Sequence, residues 1–408
     1  MITRLGLLAL LLHPSGVAGQ ITLLGDGDRA LELSGYVRSL TGIYDLGYEL
    51  PGDAEEDATS GFNGEVVRLK WTTRLGPKVT LELHQRLQTQ VTTTASALGG
   101  SVAGFGVSAV PDRTVDLSTD FITRDRLRAW HDIDRLALSV YTEAGDLTLG
   151  RQAITWGISN LFPVADLWAQ FSPFELDTEE KPGIDAIRFL TYPGSGWEVD
   201  AVVADRGSLD DLSAAVRASV ALSWADLYVA GGKLWNEAMA MAGMSAPVGA
   251  WKLRSEAVLP YDLDDDEIDR IRATLGVDWM GNGLVLSGEY HFNGVGAGDP
   301  ADYVTVLSDP RFARGESYYL GRHYAGGAVV WTPGNDRLNL TVSALLNLQD
   351  PSTAITPVLT YDFGQSTRVS AGGMITSGST PTLGGAPALN SEYGTYGNLV
   401  FLRMSVYF

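Results

Sequence analysis

The chain has 408 residues, no cysteine and a formal net charge of −20. The absence of cysteine excludes a disulfide scaffold, thiol catalysis and covalent c-type haem attachment, and the acidic balance disfavours nucleic acid as a partner. Glycine is abundant at 47 and only 19% of residues are charged; with no linker-like stretch, this composition fits one large β-body.

Residues 1–19 carry the pattern of an export signal. Arg4 supplies the positive region, Leu5 to Leu12 the apolar run, and Gly16-Val17-Ala18-Gly19 the small residues for cleavage. That run is too short for a membrane helix, which needs about 20 residues, and no later apolar run reaches about 18. Residues 20–408 are therefore expected to form a single body.

Period-2 alternation then predicts strands over 29–46, 63–75, 77–92, 121–143, 146–155, 183–192, 196–205, 212–223, 225–234, 237–245, 249–260, 267–280, 282–294, 316–332, 335–349, 353–363, 366–376 and 395–408. In the second of these, Val67, Leu69, Trp71 and Leu75 oppose Arg68, Lys70, Thr72 and Arg74. Within 121–143 the polar parity flips between Arg128 and Arg135, which places a bulge near His131–Asp134. The pieces 225–234 and 237–245 also read as one irregular hairpin. Farther on, Leu338, Leu340, Val342, Ala344, Leu346 and Leu348 oppose Arg337, Asn339, Thr341, Ser343 and Asn347.

The last segment sets Val400, Leu402, Met404, Val406 and Phe408 against Leu399, Phe401, Arg403, Ser405 and Tyr407. A terminal amphipathic strand ending in an aromatic residue resembles the closing strand of bacterial outer-membrane β-barrels. By that resemblance Phe408 is an assembly signal read by barrel assembly machinery, and its removal should impair assembly.

Connections after even-numbered strands are very short, as at Gly76, Gly145 and Gly281, whereas every long one follows an odd-numbered strand: 47–62, 93–120, 156–182, 295–315 and 377–394. Short periplasmic turns, long external loops and strands of about 10 residues define a transmembrane antiparallel β-barrel in the outer membrane. Eighteen strands are expected, with sixteen as the alternative.

One connection differs from the rest. Gly150-Arg151-Gln152 leads through Trp156-Gly157 to Pro163-Val164-Ala165-Asp166-Leu167-Trp168. Loop 156–182 is expected to fold inward and narrow the channel, with Arg151, Trp156, Asp166 and Trp168 as constriction residues; packing on the rim is the alternative. The segment resembles one found in alginate-export-type and related outer-membrane porin families, which implies an 18-stranded barrel passing anionic or small polar solutes. Alternation puts Arg151 beside Leu147 and Leu149, so Gly150 must bulge if Arg151 is to reach the lumen.

With the apolar face toward lipid, the lumen face collects Arg68, Lys70, Arg124, Arg126, Arg128, Arg188, Lys252, Arg254, Arg270 and Arg272. Either these cations pair with lumen and loop carboxylates to stiffen the wall, or they attract anionic solutes as rings of basic residues do in anion pores. The acids concentrate in connections such as Asp53–Asp57, Glu175–Glu180 and Asp262–Glu267, as solvated loops or as sites bridging divalent cations to lipopolysaccharide.

Catalysis finds little support. Ser287 and His291 share a face but lie roughly 13 Å apart along a strand, too far for a hydrogen bond, and no Gly-x-Ser-x-Gly elbow occurs. No cofactor or metal is expected. The functional reading is a passive porin for small polar solutes, with anions expected to be favoured; the alternatives are a sheath for a partner protein in electron transfer or export, or a plugged structural barrel.

Overall fold

The computed structural model describes residues 19–48, 59–93, 113–207, 212–268, 270–334, 336–383 and 388–408. Eighteen of its strands form one closed antiparallel sheet. They are β1 Arg29–Asp45, β2 Thr59–Leu75, β3 Val79–Thr92, β4 Leu127–Thr142, β5 Gly145–Gln152 and β6 Ile184–Gly194. Next come β7 Trp197–Ala204, β8 Ser213–Ala221, β9 Asp226–Leu234, β10 Glu237–Val248, β11 Trp251–Asp262 and β12 Arg272–Gly281. The last six are β13 Leu284–Asn293, β14 His323–Trp331, β15 Leu338–Asn347, β16 Thr353–Phe363, β17 Thr367–Ser377 and β18 Asn398–Tyr407.

Each barrel strand pairs with the next, and β18 pairs with β1 from Asn398 opposite Asp45 to Tyr407 opposite Tyr36. Phe408 completes that seam: its carbonyl accepts from the Gly35 amide at 2.8 Å and its amide donates back to the Gly35 carbonyl at 3.0 Å. Closure is what lipid demands, because an open edge would leave a row of backbone groups without partners.

The two-sided pattern holds. Val400 and Leu402 are exposed on the outer face while Leu399 and Phe401 are buried inside, and Leu286 and Tyr290 face out where Glu289 and His291 face in. Leu340 lies between Leu359 and Trp331, both on the outer face, whereas Thr341 has lumen parity. Leu340→Arg should therefore cost about 2–4 kcal/mol and Thr341→Arg far less. Urea titration of the barrel in lipid checks this; equal losses would reverse the assignment of the faces.

Several strand expectations need correction. Residues 121–143 are not one strand: Ser118–Arg124 and β4 make a hairpin that turns at Asp125 and Arg126, so the start of the segment doubles back on the rest. The expected bulge is present, with Asp134 left over where the register shifts between His84 and Gln85. Segment 267–280 is broken at Arg270, whose φ is 57°, and β12 begins at Arg272. Strand 316–332 starts only at His323, because Glu316 to Gly321 run as loop. β9 and β10 are separate strands, paired along their length, so the sixteen-strand alternative falls. The expected signal segment, apart from Gly19, Asp53–Asp57 and most of 93–120 lie outside the described residues.

An additional short strand, Ile21–Asp26, folds back on the first residues of β1. Every long connection follows an odd-numbered strand and so lies at one end, which it shares with the two-residue turn Trp235-Asn236; the connections at the other end are all short. The external connection 294–322 carries two short helices, Tyr303–Leu307 and Pro310–Ala313.

Candidate functional site

Loop 153–183 folds into the barrel and is held there by backbone and side chain alike. Its amides at 158–162 belong to neither helix nor strand, and a buried amide needs an acceptor. Two lumen carboxylates supply one. Glu256 on β11 accepts from the amides of Ile158 and of Ser159, the latter at 2.8 Å. Glu289 on β13 accepts from Asn160, Leu161 and Phe162 at 2.7, 3.0 and 3.0 Å. Thr274 of β12 donates its hydroxyl to the Phe162 carbonyl at 2.8 Å. Arg254 balances the charge, with Nη1 2.7 Å from Glu289 and Nη2 2.6 Å from Asp278. Gly276 sits between Arg254 and Glu289 in the register, and a Cβ there would come within 3.1 Å of Glu289 Cγ, so the small residue leaves room for the pair to meet.

The loop's apolar side chains are buried on two walls. Ile154, Trp156, Val164, Ala165, Leu167 and Trp168 pack against the lumen residues of β6 to β11, with Trp156 and Trp168 edge to face at 5.2 Å. Phe162 and Phe174 pack on the opposite side with Tyr319, Tyr324, Tyr393 and Phe401, and Phe162 stacks on His291 at 5.0 Å. The loop thus bridges the lumen.

Its last turn is acidic and lies over a basic stripe. Asp177 and Glu179 pair with Arg38 on β1, and Glu180 pairs with Lys70 on β2. The Leu176 carbonyl accepts from Arg403 on β18 at 2.6 Å, and the Lys181 carbonyl accepts from Arg135 on β4. Arg68 pairs with the bulge residue Asp134. Arg403, Arg38, Arg68, Lys70, Arg86 and Arg135 therefore cross five adjacent strands on the lumen face.

The expected constriction residues take other positions. Trp156 is buried and donates Nε1–H to Asp200 at 2.8 Å, Trp168 is buried in the same cluster, and Asp166 pairs with Lys181. Burial raises the Asp166 carboxyl and lowers the Lys181 ammonium relative to their ordinary values, each against its partner's pull. These residues build the loop rather than face the passage, because a loop crossing a lumen needs a core of its own. Arg151 stays on the outer-face parity: Gly150 takes φ 108° but inserts no residue into either register. Its guanidinium pairs with Asp185 at 2.7 Å and donates to the carbonyls of Ile133 and Val115.

The expected pore-lining cations divide by location. Arg68, Lys70, Arg188, Arg254 and Arg272 lie on the lumen face, paired with Asp134, Glu180, Asp200, Asp278 and Glu316 respectively. Lys252, at the turn end of β11, makes no ion pair within 4 Å among the described residues. Arg270 stands outside the strands and pairs with Asp309 of the external loop. Arg124, Arg126 and Arg128 occupy the exposed tip of the outer hairpin, where the Thr92 amide bonds to the Arg126 carbonyl and Arg128 pairs with Asp120. Arg128 is separated from the nearest periplasmic turn by roughly 45 Å of extended chain, so this triad lies at the outer rim and not at the narrow section. The loop anchors Glu256 and Glu289 were visible as lumen-parity acids in the sequence; their role was not, since it depends on a loop about a hundred residues away.

Similar folds are known. The chain aligns with OccAB2 of Acinetobacter baumannii at a TM-score of 0.60 and 10% identity, over 94% of this chain and 99% of that one. For OccK9 (OpdG) of Pseudomonas aeruginosa the values are 0.54 and 11%, over 93% and 98%. The outer membrane protein OpdK of Pseudomonas aeruginosa, solved with vanillate, gives 0.52 and 11%, again over 93% and 98%. No family model matches the chain, and no curated protein matches it in sequence. The fold is that of an outer-membrane porin-type barrel. A resemblance to alginate-export-type families finds no support among these comparisons.

Proposed function

We propose that the protein is an outer-membrane channel for passive diffusion of small polar solutes, with a preference for anions. The observation that carries the preference is the exposure within the wall ion pairs. Arg74 is 39% exposed against 10% for Glu32, Arg86 31% against 6% for Asp132, and Arg188 26% against 1% for Asp200. A solute passing these pairs meets the guanidinium first. Arg38 and Arg217 are less exposed than their acids, so the wall is mixed rather than uniformly basic. Charges of the loops outside the lumen act weakly here, because screening at physiological salt sets in over about 8 Å, while Asp177, Glu179 and Glu180 of the inward loop are paired with Arg38 and Lys70.

The similar barrel OpdK binds vanillate, a carboxylate, in its crystal structure, which agrees in kind with this reading. The packed inward loop speaks against a sheath for a second protein, which would need that space. Reversal potentials in a potassium chloride gradient test the proposal. The wild-type pore should favour chloride, and changing Arg74, Arg86 and Arg188 together to Gln should move selectivity toward potassium. The same change at Arg124, Arg126 and Arg128 should move it little. A cation-selective pore indifferent to the first triple would overturn the anion preference.

A further inference from the structure

The Gly150-Arg151-Gln152 motif stands at the neck of the inward loop, where the two ends of that loop meet. Gln152 closes β5 opposite Ile184, the first residue of β6, and Arg151 lies opposite Asp185. On its other side Arg151 is opposite Leu136, an exposed residue of the outer face, so it has the parity of a lipid-facing side chain. A guanidinium is costly in such a position. Yet Arg151 is only 2% exposed.

The external segment 113–118 covers it. The Val115 carbonyl accepts from Arg151 Nη2, and the Val115 amide donates to Asp185 Oδ2 at 3.3 Å. Both partners occupy outer-face positions, so the segment passes over the outside of the wall here. The donors of Arg151 go to three separate pieces of chain. Nε and Nη2 donate to the two oxygens of Asp185 at 2.7 and 3.0 Å, and Nη1 donates to the Ile133 carbonyl of β4 at 2.7 Å. The third piece is Val115. A planar fork of N–H groups can hold all three at once, which a compact ammonium cannot.

A second arginine of the segment grips the other side of the neck. Arg113 Nε donates to the Gly183 carbonyl at 3.1 Å, and its Nη1 donates to Asp132 on β4 at 3.0 Å. Gly183 is the last residue of the loop, and a Cβ on it would fall 2.2 Å from the Asp134 carbonyl oxygen and 2.9 Å from Arg151 Cγ. The neck therefore has no room for a methyl group. It is also tied to the loop interior, because Arg135 donates to the carbonyls of Asp134, at 2.7 Å, and of Lys181. Asp185 and Asp132 offset the two guanidiniums; Asp132 is shared with Arg86, and the nearby Asp116 accepts from the Ser118 amide and hydroxyl.

We propose that Arg151 and Arg113 are positioning residues of the constriction. They clamp the neck of the inward loop to the external segment 113–118, so the placement of the loop in the lumen is set from outside the wall. The consequence for solute passage rests on the channel reading; the clamp itself does not.

The chain has no cysteine, so a single introduced thiol can report on the neck. Ala186 on β6 is 7% exposed and packs in one cluster with Ile154 and Trp156 of the loop. In the whole barrel in detergent, Ala186→Cys should react slowly with a water-soluble cationic methanethiosulfonate. Adding Arg151→Gln or Arg113→Gln should raise that rate about tenfold, the worth of one charge-assisted hydrogen bond, while the urea midpoint of the barrel stays in place. The two changes together should give less than the product of their single effects, because they share one clamp. Arg151→Lys, which keeps the charge and loses the fork, should fall between. Arg128→Gln breaks an ion pair of the adjoining hairpin away from the neck and should leave the rate at the wild-type value.

A rate unchanged in both glutamine variants, raised equally by Arg128→Gln, or raised only in step with a loss of barrel stability overturns the clamp. Should Arg151→Gln fail to assemble, Arg113→Gln decides alone. Planar-bilayer conductance is read separately, and both glutamine variants should visit levels above the wild-type one. Faster modification in a barrel that conducts no ions would remove the channel reading and leave the clamp, whereas normal conductance with an unmoved reporter would remove the clamp alone.

Discussion

Deleting residues 160–178 should raise single-channel conductance severalfold. The segment crosses the lumen between two packed clusters, Trp156 and Trp168 on one wall and Phe162 and Phe174 on the other, so its volume is subtracted from the passage. Its attachment also predicts an intermediate state. Glu289 serves three loop amides and Arg254 at once. Glu289→Ala leaves those donors without an acceptor, at about 1–3 kcal/mol for each group left unsatisfied. The loop tip should then detach intermittently, and the current should flicker between the wild-type level and a larger one. Planar-bilayer recordings distinguish the two variants. Conductance unchanged by the deletion would mean that the passage bypasses the loop.

The external loops should loosen as pH rises, through Glu392. This carboxyl is buried where three connections meet: it accepts from the Tyr324 hydroxyl, from Asn347 Nδ2 at 2.8 Å and from the Leu320 amide at 3.2 Å, while its own amide bonds to Asp350 at 2.7 Å. Burial, aided by the Asp350 charge and opposed by the hydrogen bonds, pushes it up to about 8. A carboxyl raised on folding holds a proton that the unfolded chain has already released. Stability of the loop assembly is therefore highest below the ordinary carboxylate range, falls as pH rises from there, and levels off above about 8. Proteolysis within 378–397 should accelerate from about pH 5 to about pH 9 in the wild type and stay nearly flat in Glu392→Gln. Acceleration at acidic pH, or an identical profile in the variant, would assign the pH response to another group.

The barrel was legible in the sequence because its rule is local. In lipid every second side chain faces hydrocarbon, so period-2 alternation marks each strand and its outer face without knowledge of its neighbours. Alternating turn lengths add the even count. The bulge at Asp134 was legible for the same reason, since one extra residue shifts parity by one.

Where that local rule was interrupted, the reading failed. The tight turn at Asp125 and Arg126 folds the start of segment 121–143 back on itself, carrying Arg124, Arg126 and Arg128 to the rim. Parity states which side of the sheet a residue takes, but not its height or what covers it.

The interior belonged to tertiary structure. Arg38 meets Glu179 across a separation of 141 residues, and Glu289 meets Asn160 across 129. No periodicity encodes such pairs, because they form only once closure brings distant strands to face one loop. Trp156, Asp166 and Trp168 were singled out in the sequence as residues facing the passage. Whether each faced solute or the wall depended on packing, and the large apolar surface of the tryptophans is lowest in free energy against the apolar lumen residues of β6 to β11. The sequence by itself thus determined which strands form and which face meets lipid, through a rule spanning two residues. Only the closed barrel decided which lumen charges remain open to a solute, because each depends on partners that the chain brings from far away.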